Sequence, residues 1–106
     1  SEVGVDTIRR ANAVHPIADL QIEYSLASRG PEAKIFPVLA ELGISATLYG
    51  VLSRGLLSGS KPTGPSDYRS HLPRFAGDEG AKNAAVVEKL RALAEAGGRT
   101  PSQLCV

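Results

Sequence analysis

Few residues in this sequence can form a disulfide or bind a metal: its 106 residues include one cysteine, two histidines and neither tryptophan nor methionine. Cys105 alone cannot form an intrachain disulfide, and His15 and His71 are too few to complete a zinc site with it. No apolar run approaches the roughly 18 residues that span a bilayer. We therefore expect a cytoplasmic protein with no metal site and no membrane partner.

An excess of charge of one sign is also missing, because 12 lysine and arginine residues against 11 aspartate and glutamate residues leave a net charge of +1. This balance provides no general attraction to nucleic acid. The hydrophobic fraction of 42% and the charged fraction of 22% lie near the globular average, which argues against a wholly disordered chain. We expect one folded domain, which is all that this length allows.

The first half of the sequence alternates helical and strand patterns. Apolar residues recur at three- and four-residue intervals from Val5 to Val14, which predicts a helix that ends at His15-Pro16. Alternation predicts a strand within residues 17–24, helical spacing predicts a second helix within 31–42, and a mostly apolar run predicts a strand over 44–49. Short links make this a βαβ unit, so the strands should be parallel.

Between Gly50 and Gly80 the sequence is rich in glycine and proline and has no sustained periodicity. Loops of this length are usually functional or disordered, and we expect disorder to concentrate in residues 58–77. Basic residues outnumber acidic ones up to Phe75, which leaves two interpretations open, a solvated loop or a loop that faces an anion. The residues concerned are Arg54, Lys61, Arg69 and Arg74 against Asp67.

A long helix is predicted from Gly80 to Ala96, with Gly97-Gly98 ending it. We expect its apolar stripe to be buried: Val86, Val87, Leu90, Leu93 and Ala94. Thr100-Pro101-Ser102-Gln103 has the pattern of a capping box, so another helix should begin there.

Motifs that carry chemistry are scarce, since the sequence contains no nucleophile elbow, no P-loop and no metal-spaced histidine or cysteine set. The stretch from Arg54 to Gly59 has two glycines but is not a dinucleotide GxGxxG fingerprint. A glycine-rich turn directly after a parallel strand does expose backbone N–H groups where phosphates bind in α/β folds. Tyr49, at the strand end, is either a packing residue or a stacking platform.

Five segments resemble the aldo/keto reductases in order and spacing: residues 18–26, 39–44, 48–59, 73–75 and 100–104. That family folds as a (β/α)8 barrel and reduces carbonyl compounds with NADPH. The resemblance implies an α/β fold, namely a βαβ fragment of a TIM barrel with two parallel strands and about four helices, which could rearrange when isolated. We expect a single partial-barrel unit with a helix–strand–helix–strand part (1–49), a cofactor-type loop (50–79) and a helical part (80–106).

The resemblance also implies cofactor contacts. Ser1 and Gln21 match the residues that hold the nicotinamide carboxamide, and Tyr49 matches the aromatic residue that stacks on the nicotinamide ring. The loop that wraps the pyrophosphate is matched by Gly50, Leu52, Ser53, Arg54 and Gly55. The sequence departs from the family at Glu2, where many relatives carry asparagine, and at Gly50-Val51, where Ser-Pro is commoner.

No catalytic residue follows from the resemblance, because the family's tetrad of Asp, Tyr, Lys and His lies on earlier barrel strands. We expect the isolated chain to have no reductase activity and to bind no NADP. Two parallel strands cannot close a barrel and leave edges and apolar faces uncovered, so we expect a self-associating folding module, first of all a homodimer. The alternative is a residual dinucleotide- or phosphate-binding segment of an oxidoreductase.

Overall fold

A computed structural model describes residues 2–106, and the predicted contact of Ser1 lies outside the described residues. The chain divides into two compact units, one up to Val51 and one from Leu52 to Val106. The first unit contains α1 (Val5–Val14), β1 (Asp19–Glu23), α2 (Ile35–Leu42) and β2 (Ser45–Tyr49), with a 3-10 turn at Gly30–Glu32. The second contains 3-10 turns at Leu56–Ser58, Tyr68–His71 and Pro73–Phe75, then α3 (Gly77–Ala96) and α4 (Pro101–Cys105).

The two strands form a parallel sheet, which confirms the predicted βαβ unit and α/β class. Gln21 pairs with Thr47, and Glu23 pairs with Tyr49 at the carboxyl ends of the strands. Because side chains alternate between the faces of a strand, these paired residues share one face of the sheet. Ile22 is buried on the opposite face.

The first unit has a small apolar core that joins both helices to the chain entering β2. Its buried members are Ile8, Val38, Leu39 and Ile44. Gly43 ends α2 with a left-handed backbone (φ 69°), and its N–H donates to the carbonyls of Leu39 and Ala40. This cap turns the chain directly into β2. Pro37 lies in the first turn of α2, where the missing N–H has no intrahelical partner to lose.

The long helix begins three residues earlier than predicted, and part of its predicted buried stripe is wrong. Val87 and Ala94 are buried, whereas Val86 is 58% exposed and Leu93 is 64% exposed. Successive residues on a helix point about 100° apart. When the face with Val87 and Ala94 is buried, Val86 and Leu93, each one residue earlier, therefore point towards solvent. Apolar spacing alone does not decide which of two neighbouring apolar faces of the helix is buried.

The predicted capping box of α4 is confirmed. Thr100 Oγ1 accepts from the Gln103 amide at 3.1 Å, and the Thr100 amide donates to Gln103 Oε1 at 2.9 Å. α3 ends at Ala96 because the Gly97 amide turns back to the carbonyls of Leu93 and Ala94.

The segment over residues 58–77 differs from the expected disorder. It contains two 3-10 turns, and the first of these has Asp67 as a side-chain N-cap that accepts from the Arg69 amide. Local side-chain hydrogen bonds therefore order a stretch that has no apolar period. Among residues 2–106, no helix has the length and hydropathy needed to cross a bilayer, and no cluster of three metal-ligating side chains occurs.

Candidate functional site

The first unit offers one candidate surface, the sheet face that carries Gln21 and Tyr49. The strand register places both side chains on the same face, because Gln21 lies two positions before Glu23, the residue that pairs with Tyr49. Gln21 is exposed, Tyr49 is half-buried, and the Tyr49 hydroxyl donates to Glu2 Oε1 at 2.9 Å. The face therefore presents a side-chain amide and an aromatic ring together. The carboxylate of Glu2, which the sequence marked only as a departure from the family, holds the tyrosine in place.

Gly50 controls how the chain leaves β2. Its backbone is left-handed (φ 70°), and a Cβ there would lie 3.2 Å from Glu23 Cγ and 3.3 Å from Glu23 Oε1. A side chain at this position would be strained and would crowd Glu23. The glycine thus lets the Glu23 side chain lie close to the backbone beside the sheet face.

The second unit offers another candidate surface, the glycine loop, which we define as residues 52–59. Ser53, Arg54 and Gly55 are all left-handed, with φ values of 53°, 60° and 89°. Non-glycine residues rarely adopt this conformation, and runs of them concentrate at functional sites. The amides of residues 55–59 donate to carbonyls within the loop.

The amides at the start of the glycine loop, unlike those of residues 55–59, do not donate to carbonyls of the loop. Within residues 2–106, the N–H groups of Leu52, Ser53 and Arg54 make no hydrogen bond. Backbone donors normally find an acceptor in the protein or in water, so these three amides are candidates for an external acceptor. Leu52 is half-buried and Arg54 is exposed. Ser53 itself is buried, and its Oγ accepts from Arg74 Nη1 at 2.7 Å.

Arg69 joins the glycine loop to the segment that follows it. Its Nη1 donates to the Arg54 carbonyl at 3.4 Å and to Ser60 Oγ at 3.0 Å, and its Nη2 donates to the Lys61 carbonyl at 3.2 Å. The charge is balanced by Asp67, whose Oδ2 lies 2.7 Å from Arg69 Nη2. Arg69 therefore acts as a brace for the loop.

The ion pair also sets the protonation of both partners. Hydrogen bonds from the Arg69 side chain and amide hold the pKa of Asp67 well below its usual range, and Asp67 in turn raises the pKa of Arg69. Sequence reasoning left Arg69 as either a solvated or an anion-facing residue. The structure shows that the charge of Arg69 faces Asp67. The sequence signal for this pair was that the two residues lie only two positions apart.

A second polar cluster follows β1 in the first unit. Glu32 accepts from the Tyr24 hydroxyl at 2.5 Å and from Arg29 Nε and Nη2 at 2.7 and 2.8 Å. Arg29 first, and Tyr24 second, lower the pKa of Glu32 to about 2. The Tyr24 ring packs edge-on against Phe36 at a centroid distance of 5.0 Å. This cluster fixes the connection between β1 and α2.

The sequence profile of the aldo/keto reductase family matches residues 1–106. The chain belongs to this family. The aldo/keto reductase fold is also seen in a similar solved structure, the glycerol dehydrogenase from Gluconobacter oxydans, with a TM-score of 0.86 and 27% sequence identity. The similarity covers 94% of this chain and 32% of that one, so this chain spans about a third of the dehydrogenase.

Membership of the aldo/keto reductases confirms the resemblance and the barrel-fragment fold. The family consists of oxidoreductases that use nicotinamide cofactors. Of the predicted cofactor contacts, Gln21 and Tyr49 share the sheet face, Gly50 follows it, and the others begin the glycine loop: Leu52, Ser53, Arg54 and Gly55. Their individual roles stay predictions. Sequence reasoning missed the bond between Tyr49 and Glu2.

Proposed function

We propose that this chain supplies part of the NADP-binding wall of an aldo/keto reductase. The observation that carries the proposal is the run of donors at Leu52, Ser53 and Arg54, which have no acceptor among the described residues. Successive amides of this kind suit the oxygens of a pyrophosphate. The exposed Arg54 side chain adds positive charge at the same place.

In the first unit, the sheet face has groups that suit the nicotinamide end of such a cofactor. Gln21 has a side-chain amide that can donate to and accept from the carboxamide, and the Tyr49 ring offers a surface for stacking. The bond from Tyr49 to Glu2 holds the ring in one orientation. When bound, the cofactor supplies the hydride; these residues bind it and fix its orientation.

The proposal for the 106 residues alone is binding without turnover. Carbonyl reduction needs a proton donor held against the developing alkoxide, which contributes orders of magnitude to the rate. The family resemblance locates that donor on barrel strands that precede β1. The Tyr49 hydroxyl does not match the family's donor, and it donates its hydrogen bond to Glu2. We therefore expect no carbonyl reduction by this chain unless the remaining barrel segments are added.

An NMR titration of the 15N-labelled chain with NADPH tests the binding proposal. We expect chemical-shift changes at residues 49–55 at millimolar NADPH, and smaller changes at residues 50–55 in Tyr49→Leu. The matched control is Tyr68→Leu, which removes a 62% exposed tyrosine outside the proposed site. Absence of shifts at residues 49–55 would contradict the proposal.

Self-association is the second candidate, and the open sheet favours it. The sheet has only two strands among the described residues, so each has an outer edge without a partner strand. Along β2, residues 45–48 are exposed, and Leu48 is 39% exposed. Uncovered parallel strands are normally paired or covered, so we propose a homodimer through this sheet.

Sedimentation equilibrium at micromolar concentration tests the dimer. We expect a mass twice that of the 11.1 kDa chain and a shift to monomer in Leu48→Lys. Leu26→Lys is the control, because Leu26 is an exposed leucine outside the strands. Folded monomer alone in the unmodified chain would rule the dimer out.

A further inference from the structure

The second unit contains a cavity of about 560 Å³ that the cofactor proposal does not use. It lies between the end of the glycine loop and α3, and we call it the loop–helix cavity. Its volume is in the range of small-molecule pockets, about 300–1,000 Å³. The lining residues that bear on its chemistry are Leu56, Lys61, Arg74, Phe75, Val87 and Arg91.

One part of the cavity wall is apolar. Leu56 comes from the glycine loop, Phe75 from the turn before α3, and Val87 from α3 itself. Leu56 and Val87 are buried, and Phe75 is half-buried. These three side chains offer a surface against which the flat face of a ring can pack.

The other part of the wall is basic. Lys61, Arg74 and Arg91 line the cavity with Glu88 as the single acidic residue. Arg74 bonds to the uncharged Ser53 hydroxyl and therefore keeps its positive charge unbalanced. A concave surface with an excess of positive charge and an apolar wall attracts anions more strongly than a flat one does.

Arg91 is the best placed of the three basic residues. It follows Val87 by four positions on α3, so the guanidinium lies on the same helix face as that buried valine. A Cβ on Gly59 would lie 2.7 Å from Arg91 Nη2, so the guanidinium would have to move from its present position if residue 59 carried a side chain. Its ion pair with Glu88 is long, at 3.7 Å from Nε, and its Nη groups make no hydrogen bond within residues 2–106.

We propose that the loop–helix cavity binds a small aromatic anion, an aryl phosphate or aryl carboxylate. The ring lies against Leu56, Phe75 and Val87, and the anionic group accepts from the Nη groups of Arg91. A guanidinium fork matches the paired oxygens of both anions. Residues 52–54 do not line this cavity, so the proposal does not depend on the cofactor proposal.

Titration of the 15N-labelled chain with 1-naphthyl phosphate and with 1-naphthoate tests this site and compares the two anions. We expect chemical-shift changes at residues 56–61 and 84–91 with either probe, and a larger effect with the anion that the site prefers. The uncharged 1-naphthol is the control for the ring, and we expect it to bind roughly tenfold more weakly. Equal binding of 1-naphthol would show a merely apolar pocket and overturn the proposal.

Charge variants locate the anion. Arg91→Gln should weaken binding of the preferred probe roughly tenfold, whereas Arg10→Gln removes the same charge from an exposed position on α1 and should have no comparable effect. If Arg91→Gln does not fold, Lys61→Gln at an exposed position gives the same readout. Equal effects of the cavity variant and Arg10→Gln would refute a specific site, as would shifts confined to residues 49–54.

Discussion

Replacement of Gly55 by alanine tests the geometry of the glycine loop. Gly55 has a φ of +89°, and a Cβ would lie 3.1 Å from Ser60 Cβ and 3.2 Å from Arg69 Nη1. The left-handed backbone costs an alanine about 1–2 kcal/mol. Displacing two neighbours that are themselves tied into the loop adds about 1–2 kcal/mol. We expect Gly55→Ala to lower the free energy of unfolding by about 2–4 kcal/mol.

Gly98→Ala is the matched control for this change. Gly98 also has a positive φ, +66°, but a Cβ there would have no neighbour within 4 Å. The control should therefore show only the backbone cost of about 1–2 kcal/mol. Urea unfolding followed by circular dichroism measures both variants, with the m-value checked for constancy. Equal destabilisation by the two substitutions would refute the described packing of Gly55 against Ser60 and Arg69.

Three other substitutions or conditions test the rest of the structure. Leu39→Ala, at a position 3% exposed in the first core, should cost about 2–5 kcal/mol in urea unfolding, whereas Leu26→Ala, 51% exposed, should cost less than about 1 kcal/mol. The pKa of Glu32 is about 2 against an ordinary 4.5, so its pairing stabilises the fold above pH 4.5 and this stabilisation is lost as the pH falls towards 2. A carboxyl NMR titration of Arg29→Gln should show a higher pKa for Glu32. An unchanged pKa would contradict the ion pair. Arg69→Lys keeps the charge but loses the fork, so hydrogen exchange in the glycine loop should speed up, and unchanged protection would argue against the brace.

The sequence was sufficient where the determining interactions are local. The limits of α1 follow from apolar spacing and Pro16, and the start of α4 follows from Thr100 and Gln103 three residues apart. Both signals act within one or two helical turns, so they operate whatever surrounds them. The parallel pairing of the strands followed in the same way from two short links around one helix.

Interactions between distant residues were beyond the sequence. The pattern of α3 did not reveal that Val86 and Leu93 are exposed, because that depends on what packs against the helix. The bond between Tyr49 and Glu2 joins residues 47 positions apart, and no local pattern marks it. The resemblance to the family predicted cofactor positions, which stay predictions, but it did not show which groups around them are already paired.

The pairing of the basic residues changes how an anion should be held at the glycine loop. A count of charges suggested a loop that attracts phosphate through its basic side chains, but Arg69 faces Asp67 and Arg74 donates to Ser53. Of the four basic residues in that count, Arg54 and Lys61 are the exposed ones. Under the cofactor proposal we therefore expect affinity for a pyrophosphate to depend strongly on the backbone amides, whose direction depends on the left-handed run that Gly55 completes. For this reason Gly55, which carries no charge, is a sharper test of the cofactor proposal than any arginine in the loop.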